Sequence, residues 1–243
     1  MIPMKIRIIN PDYGERRSNM DARCRWLSQY TAPDTELSME CLTETHVTID
    51  SPADAVLAGP EILRMAEAAE AEGCSAVVLY CFSDPAAEAC RQRLSIPVIG
   101  GAQASLLMGA LAGKRMGVIL TDPARIPEKE LFLRTLGIAP ERIAAVDAIP
   151  FAGRPVWAHR EEALRCLIEK GNELKEKAHA DVLIPGCLSF LGLGDALSDA
   201  TGLPVIDPAV AAVTLAESCA RRGRRRYCSP PSFRCAPHPS GVR

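Results

Sequence analysis

The 243-residue sequence predicts an α/β protein built as two similar three-layer lobes, each with a mostly parallel sheet, related by a pseudo-two-fold with a cleft between them. Three observations carry that expectation. Short β-branched runs alternate with longer stretches of helical period, the pattern of strands joined by crossover helices. Features of the first half recur in the same order in the second half. Residues able to do chemistry fall just past strands in both halves, where open α/β sheets collect their ligands.

Taken along the chain, strands are expected at residues 5–9, 35–41, 76–80, 98–99, 115–120, 142–148, 182–184 and 205–206. Residues 54–72 space Leu57, Ile62, Met65 and Ala69 along one helix face, and residues 160–178 do the same with Leu164, Leu167, Ile168 and Leu174. The repeat is visible in Ala76-Val-Val-Leu-Tyr-Cys81-Phe-Ser and Val182-Leu-Ile-Pro-Gly-Cys187-Leu-Ser, whose cysteines lie 106 residues apart. Ile96-Pro97-Val98-Ile99 and Leu203-Pro204-Val205-Ile206 follow at a spacing of 107, and the segment ending in Asn10-Pro11 is matched by the one ending in Thr121-Asp122-Pro123 at a spacing of 111. The expected division is residues 1–100 plus 207–222 for the first lobe and 101–206 for the second.

With 48% hydrophobic and 24% charged residues the chain can bury a sizeable core. A net charge of −2 gives no electrostatic reason to expect nucleic acid or a membrane surface as partner. No apolar run reaches the roughly 18 residues of a membrane span, and the N-terminus enters a strand-like segment, so a cytoplasmic protein is expected. Ten cysteines include no C-x-x-C pair, and His46, His159, His179 and His238 show no metal-ligand spacing with them. Reduced thiols and no metal follow, with Cys74, Cys90, Cys166 and Cys219 read as packing residues on helices or their edges. From about Arg221 the chain turns rich in arginine and proline, and residues 223–243 are expected to form a disordered tail, a basic nucleic-acid arm being the sharper alternative.

Asn10, Cys81, Thr121 and Cys187 all fall at strand ends, and two facing lobes would bring them to one cleft. A thiol at the start of a helix is expected to have a lowered pKa, because the helix N-terminus favours the thiolate. Ser83 and Ser189, each two residues past a cysteine, could cap the helix or bond the sulfur. Backbone N–H groups of Phe82, Ser83, Leu188 and Ser189 could then serve as donors to a carboxylate or carbonyl oxygen. Two thiols on opposite walls suit inversion of an acidic carbon, one removing a proton while the other delivers one. No G-x-G-x-x-G or P-loop suggests a nucleotide, no lysine stands out as a Schiff-base former, and no cofactor is expected. The competing readings are a two-lobed ligand-binding protein with inert cysteines and an isomerase of maleate type using covalent attack.

At Cys81-Phe82-Ser83-Asp84-Pro85 and Gly186-Cys187 the sequence resembles the aspartate/glutamate/hydantoin racemase superfamily, and its hydantoin and allantoin branch in particular. The resemblance implies that Cys81 and Cys187 are catalytic acid and base, that Asn10 and Thr121 help hold the polar groups of a small-molecule substrate, and that 5-substituted hydantoins or allantoin are that substrate. Free amino acids such as aspartate or glutamate are the alternative within the same chemistry. Retention of both cysteines argues against the related decarboxylases, which use one. A homo-oligomer is expected for an enzyme of this kind. Leu188-Ser189-Phe190 replaces the Ala-Gly-Met usual after the second cysteine, Asp12-Tyr13 stands where small hydroxyl residues are common, and Gln103 stands where an acid is expected. Bulkier side chains near the cleft follow from the first of these departures.

Overall fold

In the computed structural model, which describes residues 3–222, strands and helices alternate from the first residues to the last. The order is β1 (Met4–Tyr13), α1 (Arg17–Leu27), β2 (Thr35–Leu42), α2 (Pro52–Ala71), β3 (Ala76–Leu79), α3 (Ala87–Arg93), β4 (Val98–Gly100) and α4 (Gly101–Ala112). It continues with β5 (Met116–Leu120), α5 (Ile126–Arg134), β6 (Ile143–Ala148), α6 (Arg160–Lys177), β7 (Val182–Pro185), α7 (Gly194–Thr201) and α8 (Pro208–Arg221). The strands form two parallel sheets, ordered β2-β1-β3-β4 and β6-β5-β7. The expected tail, residues 223–243, lies outside the described residues.

The two sheets repeat one another: β1 corresponds to β5, β2 to β6 and β3 to β7. The expected strand at 205–206 is the correction, since it reduces to a single bridge between Leu183 and Val205. Pro204 has no N–H to extend that ladder, so pairing stops at its carbonyl and the Ile206 N–H, each bonded to Leu183 at 2.9 Å.

Period-two alternation along the strands assigns each sheet an inner and an outer face. Ile6, Ile8, Ala76, Val78 and Tyr80 of the first sheet, with Met116, Val118, Val182 and Ile184 of the second, share one core with residues of α1, α4, α5 and α8. The intervening residues Ile9, Val77 and Leu79 pack outward under α2 and α3, and Ile119 and Leu183 outward under α6 and α7. The last helix, α8, is capped by Asp207, which accepts from the N–H groups of Ala209 and Val210, and returns to pack on β3, β4 and α4.

Helix α2 starts where Ser51 accepts the Asp54 N–H, with Pro52 in the first turn. Its buried stripe runs through Ala58, Ile62, Ala66 and Ala69. Leu57, expected on that face, is exposed, because one residue's rotation of about 100° turns it off the stripe.

Candidate active site

Each cysteine follows the carboxyl end of the strand next to its sheet's first strand. Cys81 comes two residues after β3 and Cys187 two residues after β7, and both are half-buried. Asn10 and Thr121 occupy the matching ends of β1 and β5, although β1 continues past Asn10 to Tyr13 through a register irregularity. Asn10 is buried and its side-chain amide nitrogen has no hydrogen-bond partner. A buried amide donor left unpaired costs about 1–3 kcal/mol, which marks it as a group waiting for an acceptor.

One hydrogen bond ties the two cysteine loops together. The Tyr80 hydroxyl, in the residue before Cys81, donates to the carbonyl of Leu188, in the residue after Cys187, at 2.9 Å. The N-terminus of α4 holds both loops from the side. Asp84 accepts from the N–H groups of Ala102 and Gln103, each at 2.9 Å, and so caps α4. Burial pushes the Asp84 carboxyl up to about 6, which leaves it ionised at neutral pH. A side chain at Gly100 would collide with that carboxylate, and one at Gly101 would sit 2.8 Å from Leu188. Asp84 and Ala86 both take positive φ, 45° and 59°, so the Cys81 loop carries backbone strain beside the thiol.

Of the side chains after Cys187, Leu188 is buried in the core between the sheets and Phe190 in the core behind the second sheet. Phe82 is likewise buried in the core between the sheets. Gln103, where an acid was expected, places its carbonyl oxygen 2.7 Å from Arg91 Nη2.

The two serines are set differently. The Cys187 sulfur lies 2.9 Å from the Ser189 hydroxyl. The Ser83 hydroxyl accepts from Lys129 Nζ at 2.7 Å. The expectation of lowered thiol pKa values is overturned. Cys81 is followed by turns before α3, and Cys187 by a 3-10 turn (Leu188–Phe190) before α7, so neither thiol stands at an α-helix N-terminus. Burial pushes Cys81 up to about 12, with the charge of Asp12 adding to it and Ser83 and Lys129 opposing. Burial also pushes Cys187 up, against both bonds from Ser189.

Three charged residues here were not singled out as site residues by sequence reasoning. Asp12, whose Oδ1 accepts the Ile49 N–H at 3.3 Å, raises both thiols through its charge. Lys129 of α5, 3% exposed, reaches across from the second half of the chain to donate to the Ser83 hydroxyl at 2.7 Å. Arg125, just before α5, donates to Ser83 at 3.3 Å and to the Ile49 carbonyl at 2.9 Å, bridging the two halves of the molecule.

The geometry can be set beside known proteins. Residues 20–216 match the family described as Asp/Glu/Hydantoin racemase. The chain belongs to that family. It is 32% identical over 218 residues to a hydantoin racemase of Rhizobium meliloti, covering 88% of each chain. Among solved structures, an allantoin racemase from Klebsiella pneumoniae superposes with a TM-score of 0.79 at 25% identity, over 90% of this chain and 88% of that one. A glutamate racemase from Francisella tularensis shares the fold with a TM-score of 0.60 at 16% identity, covering 91% of this chain and 82% of that one. In this racemase family member the fold is thus the two-sheet α/β architecture of its relatives, and the chain is an isomerase of the racemase class.

Proposed function

We propose that this racemase inverts an acidic carbon stereocentre held between Cys81 and Cys187, and that its substrate is a 5-substituted hydantoin or an allantoin-like ring. The observation that carries the reading is the pair of matched Cys-x-Ser loops at corresponding strand ends, joined by the Tyr80 bond to Leu188.

Inversion without a cofactor needs one thiolate and one thiol. The thiolate takes the proton from one face of the carbon, the electron pair moves onto the adjacent carbonyl, and the opposite thiol delivers its proton to the other face. After turnover the two sulfurs have exchanged protonation states, which suits the enzyme to the reverse reaction. Charge growing on the carbonyl oxygen calls for preorganised donors. The unpartnered Asn10 amide is one candidate, and the N–H groups of Phe82 and Leu188 are others. Thr121, half-buried past β5, is assigned to a second polar group of the ring. The ring is preferred because the relatives named above are a hydantoin racemase and an allantoin racemase.

Incubating the enzyme in deuterated water with candidate hydantoins, allantoin, aspartate and glutamate, and following the α-proton by NMR, tests the assignment. Loss of the signal is expected with a hydantoin or allantoin. Exchange confined to aspartate or glutamate would overturn the ring assignment, and exchange with none of them would overturn the substrate class.

A further inference from the structure

A cavity of about 150 Å³ lies past the Cys187 loop, and none of Asn10, Cys81, Thr121 or Cys187 lines it. Trp26, in the last turn of α1, and Tyr30, just after it, supply aromatic surface, their rings 5.0 Å apart and tilted by 38°. Met108 of α4 and Val210 of α8 supply aliphatic surface. Gly192 takes φ 77°, and a side chain there would meet the Trp26 indole at 3.1 Å, so the glycine lets the ring seat against the loop.

The charged groups that line the cavity are both carboxylates, Asp195 and Asp207, and no lysine or arginine lines it. Asp207 is committed to backbone: it accepts the N–H groups of Gly192 at 3.0 Å, Ala209 at 2.9 Å and Val210 at 3.3 Å, tying the loop to the start of α8. Asp195, in the first turn of α7, is exposed, and no side chain among the described residues pairs with it. Arg160, the basic side chain bonded to this loop, gives its guanidinium to the Leu191 carbonyl at 3.1 Å and 3.2 Å and stays out of the lining. Burial and then the charges of Asp195 and Asp207 push the Tyr30 hydroxyl up, with no cation opposing them. Aromatic faces and a free carboxylate both attract a positive charge, while the aliphatic walls favour an apolar chain. The volume falls below the roughly 300 Å³ at which pockets for drug-sized ligands begin, so the occupant has few heavy atoms.

We propose that this cavity binds a small organic cation, an alkylammonium or alkylguanidinium, whose chain packs among Trp26, Met108 and Val210 and whose charge faces Asp195. The site asks nothing of the two thiols, so the inference stands or falls separately from the racemase reading. The chain has two tryptophans, and Trp157 is exposed outside the cavity, so Trp157→Phe leaves Trp26 as the indole reporter. Butylguanidinium is titrated into that protein and followed by Trp26 emission and by calorimetry, with 1-pentanol as the neutral chain and pentanoate as the anion. Saturable binding of butylguanidinium is expected in the millimolar range, with pentanol at least about threefold weaker and pentanoate not bound. Asp195→Asn, a change at an exposed position, is expected to weaken the cation about threefold or more and to leave pentanol unchanged. Val210→Phe, which fills the cavity, is expected to abolish binding of both; Asp195→Asn carries the test if that variant does not fold. Failure of butylguanidinium to bind by either readout, pentanol binding as tightly as the cation, or cation affinity unchanged in Asp195→Asn would overturn the proposal.

Discussion

The loops that carry Cys81 and Cys187 share a local plan and differ in how they are held. Both follow a buried parallel strand and both read Cys-x-Ser, and in the second the serine hydroxyl lies 2.9 Å from the sulfur. The first loop is fixed by charge: Asp84 caps α4, strained φ angles at Asp84 and Ala86 bend the chain, and Lys129 and Arg125 brace Ser83. The second is fixed by packing, with Leu188 and Phe190 driven into different cores. Gly186 allows the close approach, since a Cβ there would lie 2.7 Å from Leu120. A duplicated backbone can thus present two sulfurs in equivalent positions while their electrostatic settings diverge.

The largest expected effect bears on what the loops have in common. Because burial raises both thiols and turnover needs one of them ionised, the free enzyme at neutral pH is mostly the dithiol form. The sign follows: kcat/KM should rise with pH, about tenfold per unit from pH 7 into the ordinary thiol range near 8.5 and beyond. A pH–rate profile already flat at pH 7 would show that something in the occupied site lowers a thiol more than the two serines and Lys129 do.

A smaller effect separates the loops. Asp84→Ala strips two buried N–H groups at the start of α4 of their acceptor and should cost about 2–3 kcal/mol of stability in urea unfolding. Among alanine-variant cysteine reactivities, Cys81 should change and Cys187 should not. Equal changes at both would mean that the N-terminus of α4 holds the two loops as one unit, through Leu188 against Gly101 as well as through Asp84.

The parts of the molecule written in short-range pattern were legible from sequence. Seven strands fall where alternation and β-branching put them, and the repeat spacing of the cysteines anticipated their equivalent places in the two sheets. The eighth strand was overread because a proline ends its ladder after one bridge. The thiol pKa direction is not legible from a strand-end position, because turns separate each cysteine from the next α-helix and burial dominates. Lys129 and Arg125 were not legible at all. They lie 46 and 42 residues from Ser83 in sequence, on an element of the other half, and no local pattern distinguishes them from other cations of a helix surface. Asp84 was noticed as a motif residue, but its task became visible only with Ala102 and Gln103 in place.

The account stands on two sulfurs serving opposite faces of one carbon, and single cysteine variants in deuterated water test it most directly. Cys81→Ala and Cys187→Ala should each lose racemisation by about a hundredfold to ten-thousandfold. Each should still exchange the α-proton of one enantiomer without inverting it, and the two variants should choose opposite enantiomers. Exchange of the same enantiomer by both variants, or racemisation in either within about tenfold of the unaltered enzyme, would contradict it.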